Sequence, residues 1–176
     1  MEGKRVLYSG DIRLHGVKGV LYKQLPSDID YLLLEGTNVL RAQINSTERG
    51  VEDDFVEVFQ RSPETLNMVW CSAKNIDRIC VLFRACIRCG RTLVLDPYTA
   101  NVLAAVAQLN PHIPTVTTAK QMRVYFPYYL TKRLLERNPE SYIYSLEPRK
   151  NKVSYNDFIT NPKRYVMLVR PSSVTY

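Results

Sequence analysis

Apolar positions in this chain fall either into short continuous runs or into a three-to-four spacing, the respective signatures of buried strands and amphipathic helices. KRVLYSG (residues 4–10) reads as a short strand ending in a glycine turn, and DYLLLEGTN (30–38) as a second, nearly continuous apolar strand of the kind found in a buried sheet. Asp11 and Glu35 stand at or just past the last apolar position of each. The stretch between them, VKGVLYKQLPSDI, is mixed and reads as a short strand or a loop.

From Thr47 the period changes. Thr47 and Glu48 open a helical stretch in which Val51, Phe55, Val56, Val58 and Phe59 roughly follow helical spacing, and Pro63 ends it. NMVWC has the content of a strand. In NIDRICVLFRACIRCG, residues Ile76, Ile79, Cys80, Phe83 and Ile87 fall on one stripe, with Asn75 placed to cap the start and Gly90 the end. RTLVLD is the next strand, and PYTANVLAAVAQL the next helix, with Pro97 at a tolerated first-turn position. FPYYLTKRLLERNP and SYNDFITNP read as helices, and RYVMLVRP as the last strand. Strands alternating with helices across short connections predict an α/β fold, a parallel sheet flanked by helices, because parallel neighbours need crossovers. A break near residues 42–48 separates this part from the strand-rich start.

Composition adds limits. A chain of 176 residues accommodates one domain, or one domain with a piece of another. With 45% hydrophobic and 23% charged residues and no long polar tract, it should fold. No apolar run approaches the roughly 18 to 20 residues of a membrane-spanning helix, and MEGKRVLYSG lacks a signal peptide's apolar stretch, so a cytoplasmic protein is expected. Cys71, Cys80, Cys86 and Cys89 lie in one apolar segment and read as reduced thiols.

The net charge of +7 favours approach to a polyanion. Basic residues thicken after position 120, at Lys132, Arg133, Arg137, Arg149, Lys150, Lys152, Lys163 and Arg164, interleaved with Tyr125, Tyr128, Tyr129, Tyr142, Tyr144 and Tyr155. Cations neutralise phosphates and tyrosine rings offer stacking faces, the composition of a single-stranded nucleic-acid channel. Solvated helix faces with half-buried tyrosines have the same composition, and both readings stay open.

Candidate chemistry is sparse. Asp11, after Ser9 and Gly10 at a strand end, can project into the crevice beyond the carboxyl ends of a sheet and ligate a metal, or simply be the polar residue of a turn. Glu35 is either poised for proton transfer or accepts hydrogen bonds from Thr37 and Asn38 in the next turn. The pair Cys86 and Cys89 forms a CxxC within a helix, with no second pair or nearby histidine to complete a zinc site. His15 and His112 have no second histidine at ligand spacing, and HxHxDH, HExxH, GxSxG and glycine-rich phosphate loops are absent.

The order of the segments is more informative than any one of them. SGD at 9–11, DYLLLEGTN at 30–38 and SAKNIDRICVLFRACIRCGRTLVLDPYTANVL at 72–103 together resemble metallo-β-lactamase-fold hydrolases carrying a β-CASP domain, the group of RNA- and DNA-processing nucleases. The resemblance covers nearly the whole chain. It implies a partial metallo-β-lactamase segment at 1–45 and a β-CASP-like α/β domain at 46–176. It also implies that Asp11 matches the aspartate bridging two zinc ions and Glu35 the acid that pairs with a proton-shuttling histidine. Gly36 stands where a serine is frequent, a departure from the pattern.

In that group zinc activates a water for phosphodiester hydrolysis. Lys132, Arg133, Arg149, Lys150 and Lys152 would then face nucleic acid, RNA ahead of DNA. This chain lacks HxHxDH and the later histidine motifs, so it is expected to bind no zinc tightly and to be inactive alone. Three readings follow: a nuclease fragment, which is favoured; a stand-alone nucleic-acid-binding or scaffold module that partners a catalytic subunit; or one half of a site completed in trans. A lone pair of strands is marginal in water, so residues 1–45 are expected to pack on the rest, pair with a second copy as a homodimer, or fray.

Overall fold

The computed structural model describes residues 3–10, 25–34, 47–137 and 151–170. The chain divides into two compact units, Met1–Gly50 and Val51–Tyr176. Asp11, His15, Glu35, Tyr142, Tyr144, Arg149 and Lys150 lie outside the described residues.

In the first unit β1 (Val6–Tyr8) pairs in parallel with β2 (Tyr31–Leu33), Val6 opposite Tyr31 and Tyr8 opposite Leu33. The ladder extends through Ser9 N donating to the Leu33 carbonyl at 3.0 Å. Asp30 anchors the entry to β2, accepting from Arg5 N at 2.9 Å and Lys4 Nζ at 3.0 Å. The Arg5 N–H foremost, then Lys4, hold its carboxyl below the ordinary range. The expectation of a buried strand is corrected here: Tyr31, Leu32, Leu33 and Leu34 are all exposed. Both faces of β2 are apolar, but burial requires a layer on each side, which the described residues do not supply.

The second unit is built on a five-stranded, wholly parallel sheet. Along the chain come α1 (Glu48–Arg61), β3 (Asn67–Trp70), α2 (Ile76–Arg88), β4 (Thr92–Leu95), α3 (Pro97–Ala107), β5 (Met122–Tyr125), α4 (Tyr128–Arg137), β6 (Lys152–Val153), α5 (Tyr155–Thr160) and β7 (Tyr165–Val169). The spatial order is β3-β7-β4-β5-β6, so the last strand returns to lie between β3 and β4. An α/β class with a parallel sheet flanked by helices is therefore what the chain adopts.

Strand pleat and helix stripe decide the two cores. One sheet face carries Leu93, Leu95, Met122, Val124, Val166 and Leu168 against Val56 and Phe59 of α1, Ile79, Leu82, Phe83 and Cys86 of α2, and Leu103 of α3. Each fully buried leucine there contributes about 1.5–3 kcal/mol. The other face carries Val94, Val153 and Tyr165 against Phe158 of α5, whose ring meets Tyr125 and Tyr165 edge-on at 5.2 and 5.5 Å. The α2 stripe runs through Ile79, Leu82, Phe83 and Cys86, so the expected place of Ile87 on it is corrected: Ile87 is exposed, as is Val58 on α1. Ile87 lies one residue, hence about 100°, beyond Cys86, far enough to leave a face that is already filled.

The expected helix ends are present. The Thr47 hydroxyl accepts from Gly50 N at 3.0 Å, Asn75 Oδ1 from Arg78 N at 3.3 Å, and Gly90 takes a left-handed φ of 66° after α2. Ser154 and Asp157 form a capping box on α5. Across α1 and α2, Glu52 receives Arg84 Nε at 2.7 Å and Arg88 Nη1 at 3.1 Å. Burial is the largest single influence on Glu52 and acts to raise its pKa, but the bonds from Arg84 and Arg88 together outweigh it and leave the carboxyl below its usual range.

Candidate functional site

Two places collect chemistry. The first is the end of the β1–β2 pair. Parallel strands leave a pair at the same end, and the chain reaches Asp11 three residues after Tyr8 and Glu35 two residues after Leu33. Gly10, between Ser9 and Asp11, takes a φ of 54°, a left-handed conformation that favours glycine in this turn. The two acids of the sequence reading thus follow the carboxyl ends of neighbouring parallel strands, where open sheets bind ligands.

The second is the carboxyl edge of the five-stranded sheet. Asp96, directly after β4, is buried and accepts from Tyr98 N (2.9 Å), Thr99 N (3.2 Å) and the Thr99 hydroxyl (2.6 Å) at the start of α3. It also receives the fork of Arg170, directly after β7, with Nε at 2.8 Å and Nη2 at 2.7 Å. The guanidinium of Arg170 lies over the Tyr98 ring at 4.8 Å from its centroid. The motif residues that carried the resemblance serve the scaffold: Asn75 caps α2, Asp96 caps α3, and Arg91 is buried at the opposite end of β4. The Asp96–Arg170 pair was missed in the sequence. Asp96 before Pro97 carried an N-cap signal, but nothing local ties it to an arginine 74 residues away.

Next to this pair the sheet edge carries tyrosines. Tyr128 and Tyr129 open α4 after β5, and Tyr155 opens α5 after β6, exposed by 72%, 69% and 68%. With half-exposed Tyr98 after β4, they place aromatic rings behind three adjacent strands spaced by roughly 4.8 Å. Lys132 and Arg133 are exposed one turn into α4, and Lys152 sits in β6 with Nζ 5.0 Å from the Phe126 ring centroid. The basic run divides: Lys163 and Arg164 precede β7, at the amino end of the sheet, where Lys163 pairs with Glu64 at 3.1 Å. Tyr125 belongs to the core contact with Phe158.

All four thiols are free. Burial pushes the Cys71, Cys80 and Cys86 thiols up, Cys86 most strongly, which keeps them protonated and poor ligands or nucleophiles at neutral pH. The CxxC therefore behaves as core filling at Cys86 and as a helix end at Cys89, whose Sγ lies 3.9 Å from the Val56 carbonyl. Native protein titrated with a thiol-specific disulfide reagent at pH 8 is expected to leave Cys86 and Cys71 unreacted, all four reacting once urea is added. Rapid native labelling of Cys86, read by peptide mapping, would contradict the assignment. Among the described residues no three His, Cys, Asp or Glu side chains are grouped to hold a metal, and no helix is long and apolar enough to cross a membrane.

No family model matches the chain, and no curated protein matches it. Among solved structures it is similar to a protein of unknown function from Enterococcus faecalis V583, with a TM-score of 0.60 and 18% identity. The match covers 93% of this chain and 35% of that one, so this chain spans about a third of that protein's length. A likeness at this identity is one of fold.

Proposed function

We propose that this chain is part of a zinc-dependent phosphodiester hydrolase of the metallo-β-lactamase group with a β-CASP domain. In this reading it contributes Asp11 as a metal ligand, Glu35 as the acid for proton transfer, and a surface for single-stranded nucleic acid, RNA ahead of DNA. The observation that carries it is the parallel, in-register pairing of β1 with β2, which sends the segments bearing both acids out of the same end of one sheet. The SGD, NIDR, GRT and YTA segments, in that order, support the same assignment.

Among the described residues no donor set completes a zinc site. Zinc takes four nitrogen, sulfur or oxygen ligands, and His112, one of two histidines, lies exposed in a loop of the second unit. The chain by itself is therefore expected to bind no zinc tightly and to cleave nothing. Two measurements decide between the readings. Antibody capture of the native polypeptide followed by mass spectrometry should return peptides containing HxHxDH; a native species without them removes the hydrolase and leaves a binding module. Zinc with labelled single-stranded RNA should give no turnover, and cleavage abolished by Asp11→Ala would overturn the inactivity of the chain alone.

The nucleic-acid surface is favoured by the exposed tyrosines at the carboxyl edge, and it stands whether or not the catalytic residues are supplied elsewhere. Stacking of a base on an aromatic ring is worth about 1–3 kcal/mol. Tyr128→Ala with Tyr129→Ala is accordingly expected to weaken binding to a labelled single strand by about tenfold or more, on top of a steep loss with added salt. Binding that is unchanged in the double variant, read by fluorescence anisotropy, would place the surface elsewhere.

A further inference from the structure

Tyr98 differs from the other tyrosines of the carboxyl edge in being held. It stands in the first turn of α3, directly behind β4, the middle of the five strands. The Arg170 guanidinium covers one face of its ring at 4.8 Å from the centroid, and Asp96 fixes both arms of that guanidinium at 2.8 and 2.7 Å. Asp96 is fixed in turn by Tyr98 N, Thr99 N and the Thr99 hydroxyl, so a closed circuit of cap, ion pair and cation–π contact sets the position of the ring. Yet Tyr98 keeps 48% of its surface open, while the side chains that hold it, Arg170 and Asp96, keep 19% and 6%. Tyr128 and Tyr129, which meet each other edge-on at 5.4 Å, stand further out in solvent.

On the nucleic-acid surface proposed above, on which this reading rests, we infer that Tyr98 is a preorganised stacking face for one base of the single strand. Arg170, although a cation on this surface, is a positioning residue that acts through Tyr98 and takes no phosphate. A ring already immobilised loses little freedom when a base stacks on it, so more of the stacking energy appears as affinity. Phosphate has no place at the same point. Asp96 puts a carboxylate on the first N–H groups of α3, where an anion would otherwise sit, and it neutralises the Arg170 fork. The phosphates therefore fall toward Lys132 and Arg133 on α4 and toward Lys152 on β6, the last being two strand spacings, about 10 Å, from β4. Base and phosphate contacts are thus separated along the edge, as suits a strand whose bases turn to aromatic rings while its backbone follows the cations.

Fluorescence anisotropy of the full chain with a labelled single-stranded RNA of mixed sequence, followed across a salt series, is the test, with the urea midpoint of each variant checking that it is folded. Tyr98→Ala keeps the backbone N–H that Asp96 accepts from; it should weaken binding about tenfold at every salt concentration, and Tyr98→Phe, which keeps the ring, should recover most of that loss. Asp96→Asn combined with Arg170→Gln removes both charges at once and leaves the net charge as it is. That pair should weaken binding about threefold with an unaltered salt slope, and should add nothing in a chain that already carries Tyr98→Ala. Arg170→Lys, the milder change, should likewise add nothing there. Lys152→Ala should instead lower the salt slope by about 0.7, the loss of one phosphate contact. A wild-type chain that binds the strand and loses nothing in Tyr98→Ala would overturn the stacking role and leave the surface standing. A salt slope lowered in the charge-free pair, or a loss undiminished beside Tyr98→Ala, would make Arg170 a phosphate contact and overturn its positioning role. A wild-type chain that binds no single strand at low salt would remove the surface and Tyr98's role with it.

Discussion

Asp96→Ala is expected to lower the stability of the second unit by about 3–5 kcal/mol, because it removes a helix cap and takes from a largely buried guanidinium its two-armed carboxylate partner. The carboxylate takes two backbone N–H groups and one hydroxyl from the first turn of α3, and both arms of Arg170. The side chains of Arg170 and Asp96 are only 19% and 6% exposed, so water replaces little of what is lost. Asp96→Asn keeps an oxygen for the cap but presents an amide to one arm of the fork, and should cost about half as much. Urea unfolding is the measurement, with a fall in midpoint at constant slope. A loss below about 1 kcal/mol for the alanine variant would mean that the other contacts of Arg170 are enough to hold it, and that the pair does not tie β4 to β7.

Arg91→Ala is expected to cost about 3–4 kcal/mol by a different route. Arg91 is buried, and its guanidinium donates to the carbonyls of Phe59 (3.2 Å), Ser62 (2.8 Å), Pro63 (3.0 Å) and Thr65 (3.0 Å). Carbonyls at the end of a helix have no partner within the helix, and a cation there also meets the negative end of the α1 dipole. Removing the side chain leaves acceptors stranded beside the core. Lysine cannot reproduce the fork, so Arg91→Lys should recover less than half of the loss. Hydrogen exchange discriminates this from general loosening: protection of the last turn of α1 should fall further than that of β4. An even fall across the unit would show that Arg91 is core filling and not the clamp on the Ser62–Thr65 turn.

The arginine of GRT and the aspartate of DPYTA illustrate how the sequence should be read. Both stand out as motif residues, yet Arg91 clamps a turn and Asp96 joins a cap to an ion pair. Asn75 was legible as a cap because capping is local: its acceptor lies three residues from the N–H it serves. The strands β5 and β6 were not legible. MRVY interrupts its apolar residues with Arg123, and the second has only Lys152 and Val153, too short to show a period of two. Their strand character comes from pairing with β4 and with each other.

The candidate site divides along the same line. Asp11 and Glu35 were visible as acids at the ends of apolar runs, a signal contained in a few consecutive residues. That β1 and β2 are direct parallel neighbours depended on a ladder between segments about 25 residues apart. The tyrosines and bases after residue 120 were visible as a composition, which has no direction. The crossover of β7 into the middle of the sheet separated Lys163 and Arg164 from the carboxyl edge and placed Arg170 there beside Tyr98.

By itself, then, the sequence determined the alternation of strands and helices, most of their ends and the parallel class. Each of these follows from backbone geometry and hydrophobic period over a dozen residues or fewer. The tertiary structure alone decided the strand order, the Asp96–Arg170 tie and the exposed row of tyrosines, because each depends on residues far apart in the chain meeting in space.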